Sequence, residues 1–294
     1  MEILGYPLPA ILAQLVVGLV NGSFYAMLSL GLAIIFGLLN VINMSHGAMY
    51  MLGAFATWMG LAYFDINYWI MLLIAPVIIG LIGVAIEKTM LRWLYKLDHL
   101  YGLLLTIGVA SFLEGLMLSF FGVSGVSYSP PSVLGGALDL GFMMLPAYRA
   151  FVVLVSVVVC LGTWLAIEKT KLGAYLRAGT ENPELVGAFG VNVPLLVTLT
   201  YGFGVGLAGL AGVLAAPTVQ VSPLMGANLI VVVFAVVVIG GLNSILGSIV
   251  TGLALGVAEA VVSMFYPDAS ATVVFVIMAI VLVLRPAGLF GKEK

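Results

Sequence analysis

Long apolar runs separated by short polar punctuation organise this chain, and within the runs polar residues follow neither a helical stripe nor a strand alternation. Runs of roughly 17 to 25 apolar residues are long enough for a helix to cross a hydrocarbon layer about 30 Å thick. The pattern predicts crossings near residues 22–40, 46–64, 69–90, 101–121, 150–167, 196–215, 228–246, 250–266 and 270–285. A further apolar run, 9–20, precedes Asn21-Gly22 and reads either as the start of a long bent first helix or as a short helix at the membrane interface. The expected fold is an all-α polytopic membrane protein of about 8–10 transmembrane helices, with residues 1–294 forming a single transmembrane domain.

Composition strengthens this reading. With 63% hydrophobic and 7% charged residues and a mean hydropathy of +1.27, the chain has too little polar surface to face water on every side. Its basic residues gather at Lys88/Arg92/Lys96, Lys169/Lys171/Arg177 and Arg285/Lys292/Lys294. Placing these clusters in the cytoplasm puts Asp65, Asp139 and Asp268 outside with Arg149 the sole basic residue there, and gives an outer N-terminus and an inner C-terminus. Tyr63, Tyr68, Trp69, Tyr128, Tyr148 and Tyr266 then flank the outer helix ends, where amphipathic rings favour the headgroup level. No basic segment precedes the first apolar run, so no cleavable leader is expected. A net charge of −2 without any long basic run argues against a nucleic-acid partner. The single cysteine, Cys160, excludes an intramolecular disulfide and reads as a small buried hydrophobe.

Small residues suggest where helices pack. Gly202, Gly204, Gly206, Gly209 and Gly212 fall within one span, and Gly202-x-x-x-Gly206 is a close-approach spacing, which makes 196–215 central in the bundle. Two polar interruptions stand out. Asn43-Met44-Ser45-His46-Gly47-Ala48 is echoed by Ser222-Pro223-Leu224-Met225-Gly226-Ala227, the first facing inward and the second outward, as in inverted repeats with discontinuous helices. Such breaks expose backbone groups that lipid cannot satisfy, so Asn43, Ser45, His46 and Ser222 are candidates for a translocation path. His46 reads either as a substrate or proton group or as a residue hydrogen-bonded by Ser45 and Asn43 at a helix start.

Glu114 and Glu259 are the acids deepest within the predicted spans. Each is either part of an ion-coupled site or a hydrogen-bonded carboxyl joining two helices. No cluster of His, Asp, Glu or Cys has metal-ligand spacing, and no nucleophile–base pair is visible, so an enzyme is not expected.

The only sizeable cytoplasmic segment is 168–195. Within it Asn182 is a good N-cap, Pro183 suits the first helical position, Glu184 suits the positive end of a helix dipole, and Gly190 can close the helix in a left-handed conformation. A short helix over 183–189 follows. Leu185, Val186 and Phe189 give it more apolar surface than so short a helix leaves in water, so it either docks into a groove on another protein or folds back on its own membrane domain.

This loop resembles the coupling loop of permease subunits of ABC importers. The stretches Asn21-Gly22-Ser23-Phe24-Tyr25-Ala26-Met27, Gly37-Leu38-Leu39-Asn40-Val41-Ile42-Asn43-Met44-Ser45-His46-Gly47 and Gly240-Gly241-Leu242-Asn243-Ser244 resemble the high-affinity branched-chain amino-acid permeases, first of their two membrane subunits. The resemblance implies an inverted-repeat bundle of the ribose and vitamin B12 permease type in a bacterial cytoplasmic membrane. It implies a homologous sister permease, two cytoplasmic ABC ATPases and an external substrate-binding protein as partners. Arg177, Asn182, Pro183, Glu184, Leu185, Gly187, Phe189 and Gly190 would then engage an ATPase groove, and Asn243 and Ser244 would join the candidate path. No cofactor is expected on this chain, ATP and magnesium belonging to the partners. It has no Gly-x-x-x-x-Gly-Lys-[Ser/Thr] phosphate loop, since Gly291-Lys292 is followed by Glu293 and lacks the first glycine. Branched-chain or other small hydrophobic amino acids are the expected cargo. Urea, short amides or aromatic acids remain alternatives, as does a self-sufficient ion-coupled transporter.

Overall fold

The computed structural model describes all residues except Met1, Leu4, Gly5, Asn40, Lys96 and 292–294. The basic positions Lys96, Lys292 and Lys294, the phosphate-loop position Glu293 and the motif residue Asn40 therefore lie outside the described residues. Strand β1 (Glu2–Ile3) pairs with β2 (Tyr6–Pro7). The helices that follow are α1 (Leu8–Leu39), α2 (His46–Phe64), α3 (Tyr68–Thr89) and α4 (His99–Phe121). A hairpin of β3 (Ala137–Asp139) and β4 (Met144–Pro146) leads to α5 (Ala147–Glu168), α6 (Lys171–Glu181) and α7 (Pro183–Ala188). The chain continues with α8 (Val193–Ala215), α9 (Met225–Gly240), α10 (Ile245–Phe265) and α11 (Ser270–Leu284). Among the described residues, 7 helical segments are long and apolar enough to cross a membrane; α2 and the 16-residue α9 stand apart from them.

The structure decides one alternative left open by the sequence and moves one boundary. The run 9–20 is part of α1, a continuous helix of 32 residues, about 48 Å at 1.5 Å per residue. The expected crossing at 228–246 ends at Gly240, because Gly241 adopts φ +102° and Ser244 caps α10 by accepting the Gly247 N–H at 3.0 Å. Hydropathy alone runs straight through this turn. Other helix starts follow the sequence: Asn67 accepts from Trp69, Asp98 from Leu100 and Asn192 from Leu195, each satisfying an amide that opens a helix.

The chain divides into two compact units, Leu30–Tyr128 with Leu161–Val231, and Met1–Ser29 with Ser129–Cys160 and Val232–Lys294. In the first, α8 packs against both α2 and α3 through its glycine row. A Cβ at Gly212 would stand 2.0 Å from the Tyr50 carbonyl oxygen, and one at Gly53 would stand 2.2 Å from that of Gly209. Bare backbone is what lets these helices touch, where lipid offers no hydrophobic drive for association. α4 covers the break ahead of α2: Thr106 accepts the Met44 N–H at 3.1 Å and donates to Ile42 O at 3.2 Å, satisfying backbone that has left the helix.

The second unit is built on α10 against the N-terminal part of α1. A Cβ at Gly256 would meet the Gly22 backbone at 2.3 Å, and Gln14 donates to Ala260 O and Ser263 Oγ at 2.8 Å. Beyond α11, Leu289 N–H reaches Ile239 O at 2.8 Å and ties the C-terminal segment beneath the Gly240-Gly241 turn.

Gly212→Ala should lower the thermal midpoint of the purified protein in detergent, because the added methyl meets backbone. Gly162→Ala, with nothing within 4 Å of the new carbon, should leave the midpoint unchanged or raise it slightly. Equal effects of the two substitutions would refute the glycine-seam account.

Candidate translocation and coupling sites

In the candidate coupling segment the start of the short helix falls where its sequence predicts, and a further helix, α6, which the sequence pattern does not predict, precedes it. Asn182 Oδ1 accepts the Leu185 N–H at 3.0 Å, Pro183 opens α7, Glu184 lies in its first turn, and Gly190 takes φ +84°. Helix α7 ends at Ala188, so Phe189 is its cap and not its last turn. Val186 is buried against the protein, whereas Leu185 and Phe189 are 56% and 81% exposed. The helix is thus anchored on one side and presents an apolar edge on the other. A Cβ at Gly187 would meet nothing within 4 Å, which leaves that edge open at its centre. Arg177 pairs with Glu168 at 3.3 Å, both side chains about half exposed. From Gly190 the chain enters α8 directly through the Asn192 cap.

Asn43, Ser45 and His46 are all fully buried at the start of α2. Ser45 occupies the N-cap position but makes no capping bond; its hydroxyl donates to Asn43 Oδ1 at 2.6 Å, and the His46 N–H is taken by the Asn43 carbonyl at 3.3 Å. Asn43 thus takes the His46 amide as the sequence allows, but Ser45 does not cap α2 through its side chain, since its own backbone is already helical (φ −73°, ψ −3°) where a capping residue is extended. Ser222 accepts the Met225 N–H at 3.2 Å and opens α9, and the glycines that follow the two breaks, Gly47 and Gly226, are in backbone contact. The structure brings Asn43, Ser45, His46 and the Ser222 break into one compact unit and places Asn243 and Ser244 in the other. A cavity of about 80 Å³ adjoins the first break, lined by Leu39, Val41 and Ile42 on one side and by Tyr95, Asp98 and His99 on another.

The deeply buried acid is Glu87, not Glu114 or Glu259. Its side chain is 0% exposed, while the other two are half-buried. Glu259 accepts the Tyr25 hydroxyl at 2.7 Å, the structural alternative raised by its sequence. Glu87 accepts from Thr198 of α8 at 2.7 Å and from Tyr95 at 3.1 Å, and Arg92 lies 3.5 Å away while donating to the same Thr198 at 2.7 Å. Partial burial, then the Glu87 carboxylate beside it, hold the Tyr95 hydroxyl above the usual tyrosine range. Glu87 lies near the end of the predicted 69–90 crossing, beside Lys88, and is not among the acids singled out from the sequence. Its signal is spacing: Ala75, Ile79, Gly83 and Glu87 recur every four residues and form the buried face of α3.

Residues 14–284 match the family described as branched-chain amino acid transport system / permease component. The chain belongs to this family. It is 29% identical over 296 residues to the high-affinity branched-chain amino acid transport system permease protein BraD of Pseudomonas aeruginosa, covering 96% of each chain. It is 28% identical over 300 residues to the protein LivH of Escherichia coli, again over 96% of each. A probable branched-chain amino acid transport permease protein of Methanocaldococcus jannaschii is 25% identical over 94% of this chain and 91% of its own. No solved structure matches. The permease is a multi-pass membrane protein of a transport system, and its relatives are transport components, not enzymes.

Thr198→Val should destabilise the permease by about 1–3 kcal/mol, since it strips a partner from a buried carboxylate. Thr200→Val, which loses only a bond to its own helix, should cost much less in the same unfolding assay. For Tyr95 the folded pKa is raised, so its contribution is fully present below the ordinary value of 10.0 and is lost as pH rises above it. Tyr95→Phe should accordingly flatten the alkaline fall in stability; an unchanged slope would count against this assignment.

Proposed function

We propose that this permease carries branched-chain amino acids inward across a bacterial cytoplasmic membrane. In this reading it works as one of two membrane subunits of an ATP-driven importer, with a homologous sister subunit, two cytoplasmic ATPases that bind ATP and magnesium, and an external binding protein that delivers the cargo. The three basic clusters support an inner C-terminus and an outer N-terminus. The observation that carries the proposal is α7, a capped short helix whose Leu185 and Phe189 are exposed while it runs through one cap into α8. An apolar helix edge of this kind fits a groove on a partner protein. The names of the family and of its relatives support the substrate class.

The geometry suggests how work reaches the path. Closure of the ATPase pair displaces α7, and α8 moves with it because only 189–192 intervene. Thr198, in the second turn of α8, is held by Glu87 and Arg92, so α3 follows. The glycine seam then passes the motion to α2, whose first turn carries Asn43, Ser45 and His46. Segments that rock as rigid bodies around broken helices give alternating access.

Glu184→Lys and Gly187→Trp should each leave membrane insertion intact and abolish most uptake while ATP hydrolysis persists in the assembled complex. Normal uptake in both variants would refute the coupling role of α7. Glu114→Gln should transport at close to the wild-type rate on this reading, and a large loss with normal assembly would favour an ion-coupled carrier instead.

A further inference from the structure

The two helix starts that echo each other in sequence meet inside one compact unit. α2 and α9 have 19 and 16 residues, and each begins after a non-helical break in an apolar chain. A Cβ on Gly226 would stand 2.0 Å from Gly47 O, and one on Gly47 would stand 2.5 Å from Gly226 O, so the two first turns touch through bare backbone. The position is deep. The His46 ring lies against Gly31, Gly31 lies against Gly204, and Gly204 is 11 residues past Val193, the first residue of α8. At 1.5 Å per residue that is about 16 Å along α8, near the middle of a hydrocarbon layer about 30 Å thick.

The Gly47 and Gly226 carbonyls stand at the contact itself, with the Ala48 amide nitrogen beside them, and hydrogen-bond donors flank it. In α2 the His46 N–H goes to Asn43 O and the Met49 N–H to Ser45 O, while the Gly47 and Ala48 amides have no backbone acceptor among the described residues. In α9 the Met225 and Asn228 amides are taken by Ser222 O and Leu224 O, and those of Gly226 and Ala227 are likewise without one. Two positive dipole ends in contact repel, and an anion between their amides reverses the sign of that interaction. An independent observation points the same way. Asn43 is 0% exposed, its Oδ1 is taken by Ser45, and its Nδ2 has no hydrogen-bond partner among the described residues. A buried amide N–H left without an acceptor is costly, and it stands at the first turn of α2. The acid whose field reaches the neighbouring Tyr201 is Glu87, already engaged by Thr198, Tyr95 and Arg92. Val41 and Ile42, just before Asn43 in the chain, form an apolar side of the cavity whose other lining includes Asp98 and His99.

We propose that the converging N-termini of α2 and α9, together with Asn43 Nδ2, form a station that receives the carboxylate of the amino acid in transit. This rests on the amino-acid reading above. A carboxylate at the centre of a bilayer is expensive, and a cluster of fixed donors replaces the water it has shed. The apolar wall beside the break faces the hydrocarbon side chain of the same molecule. Four backbone amides and one carboxamide hold the carboxylate loosely enough to release it.

The test uses the whole complex in liposomes with its binding protein and L-leucine. Asn43→Asp keeps the side-chain shape and replaces the donor by an acceptor. Leucine uptake should fall by about 10- to 100-fold, the scale of a hydrogen bond to a charged group, while stimulated ATP hydrolysis stays within about twofold. A misassembled variant would also lose uptake, so the deciding readout is direct. Leucine labelled with ¹³C in its carboxyl group, bound to a complex carrying ¹⁵N-asparagine, should give a carbon–nitrogen contact in solid-state NMR that disappears with Asn43→Asp. Bound leucine without that contact, or wild-type uptake by the variant, overturns the proposal. A wild-type complex that takes up no branched-chain amino acid overturns the substrate reading instead.

Discussion

Backbone contact between glycines is the constraint on which the rest of this permease depends. In a bilayer, apolar side chains gain nothing by leaving lipid for protein, so helices associate only where they approach closely enough for dispersion and weak polar contacts to accumulate. α8 achieves this with Gly204, Gly209 and Gly212, which meet α1, α2 and α3 at distances no side chain could tolerate. The contact that brings the first turns of α2 and α9 together is made in the same way, by Gly47 and Gly226. Remove these approaches and the polar breaks would have no fixed position.

The second requirement is that each polar group inside the membrane find a partner. Thr106 satisfies the backbone on either side of Met44, Tyr25 satisfies Glu259, and Thr198, Tyr95 and Arg92 together satisfy Glu87. Asn43 Nδ2 has no partner among the described residues, as is true of the Ser156, Tyr201 and Thr251 hydroxyls, and Asn43 is the one of these that stands beside the start of α2 where it meets α9. Unsatisfied donors persist where function requires them to be filled only some of the time.

These two features share one mechanical frame. The segment that ends in the exposed edge of α7 is continuous with α8, and α8 is both the glycine seam and the carrier of Thr198. A displacement of α7 would therefore reach α2 and α3 without crossing a joint longer than 189–192.

Hydropathy, charge clusters and caps were enough to read the membrane class, the placement of most spans, the start of α7 at Pro183 and the glycine-rich character of α8, because each depends on local composition or on hydrogen bonds within one turn. Whether 9–20 continues into the first crossing was left open and the early end of α9 was not legible, since apolar runs look alike whether a helix continues through them or turns at Gly241. The sequence pointed to Glu114 and Glu259 as buried acids and passed over Glu87, whose burial depends on which face of α3 meets α8. The echo between the two breaks could be seen in the letters, but the touch of Gly47 on Gly226 could not. Residues 179 positions apart in the chain, at 226 and 47, become neighbours only through helix packing, and packing is settled by the sum of many close approaches that no single segment encodes.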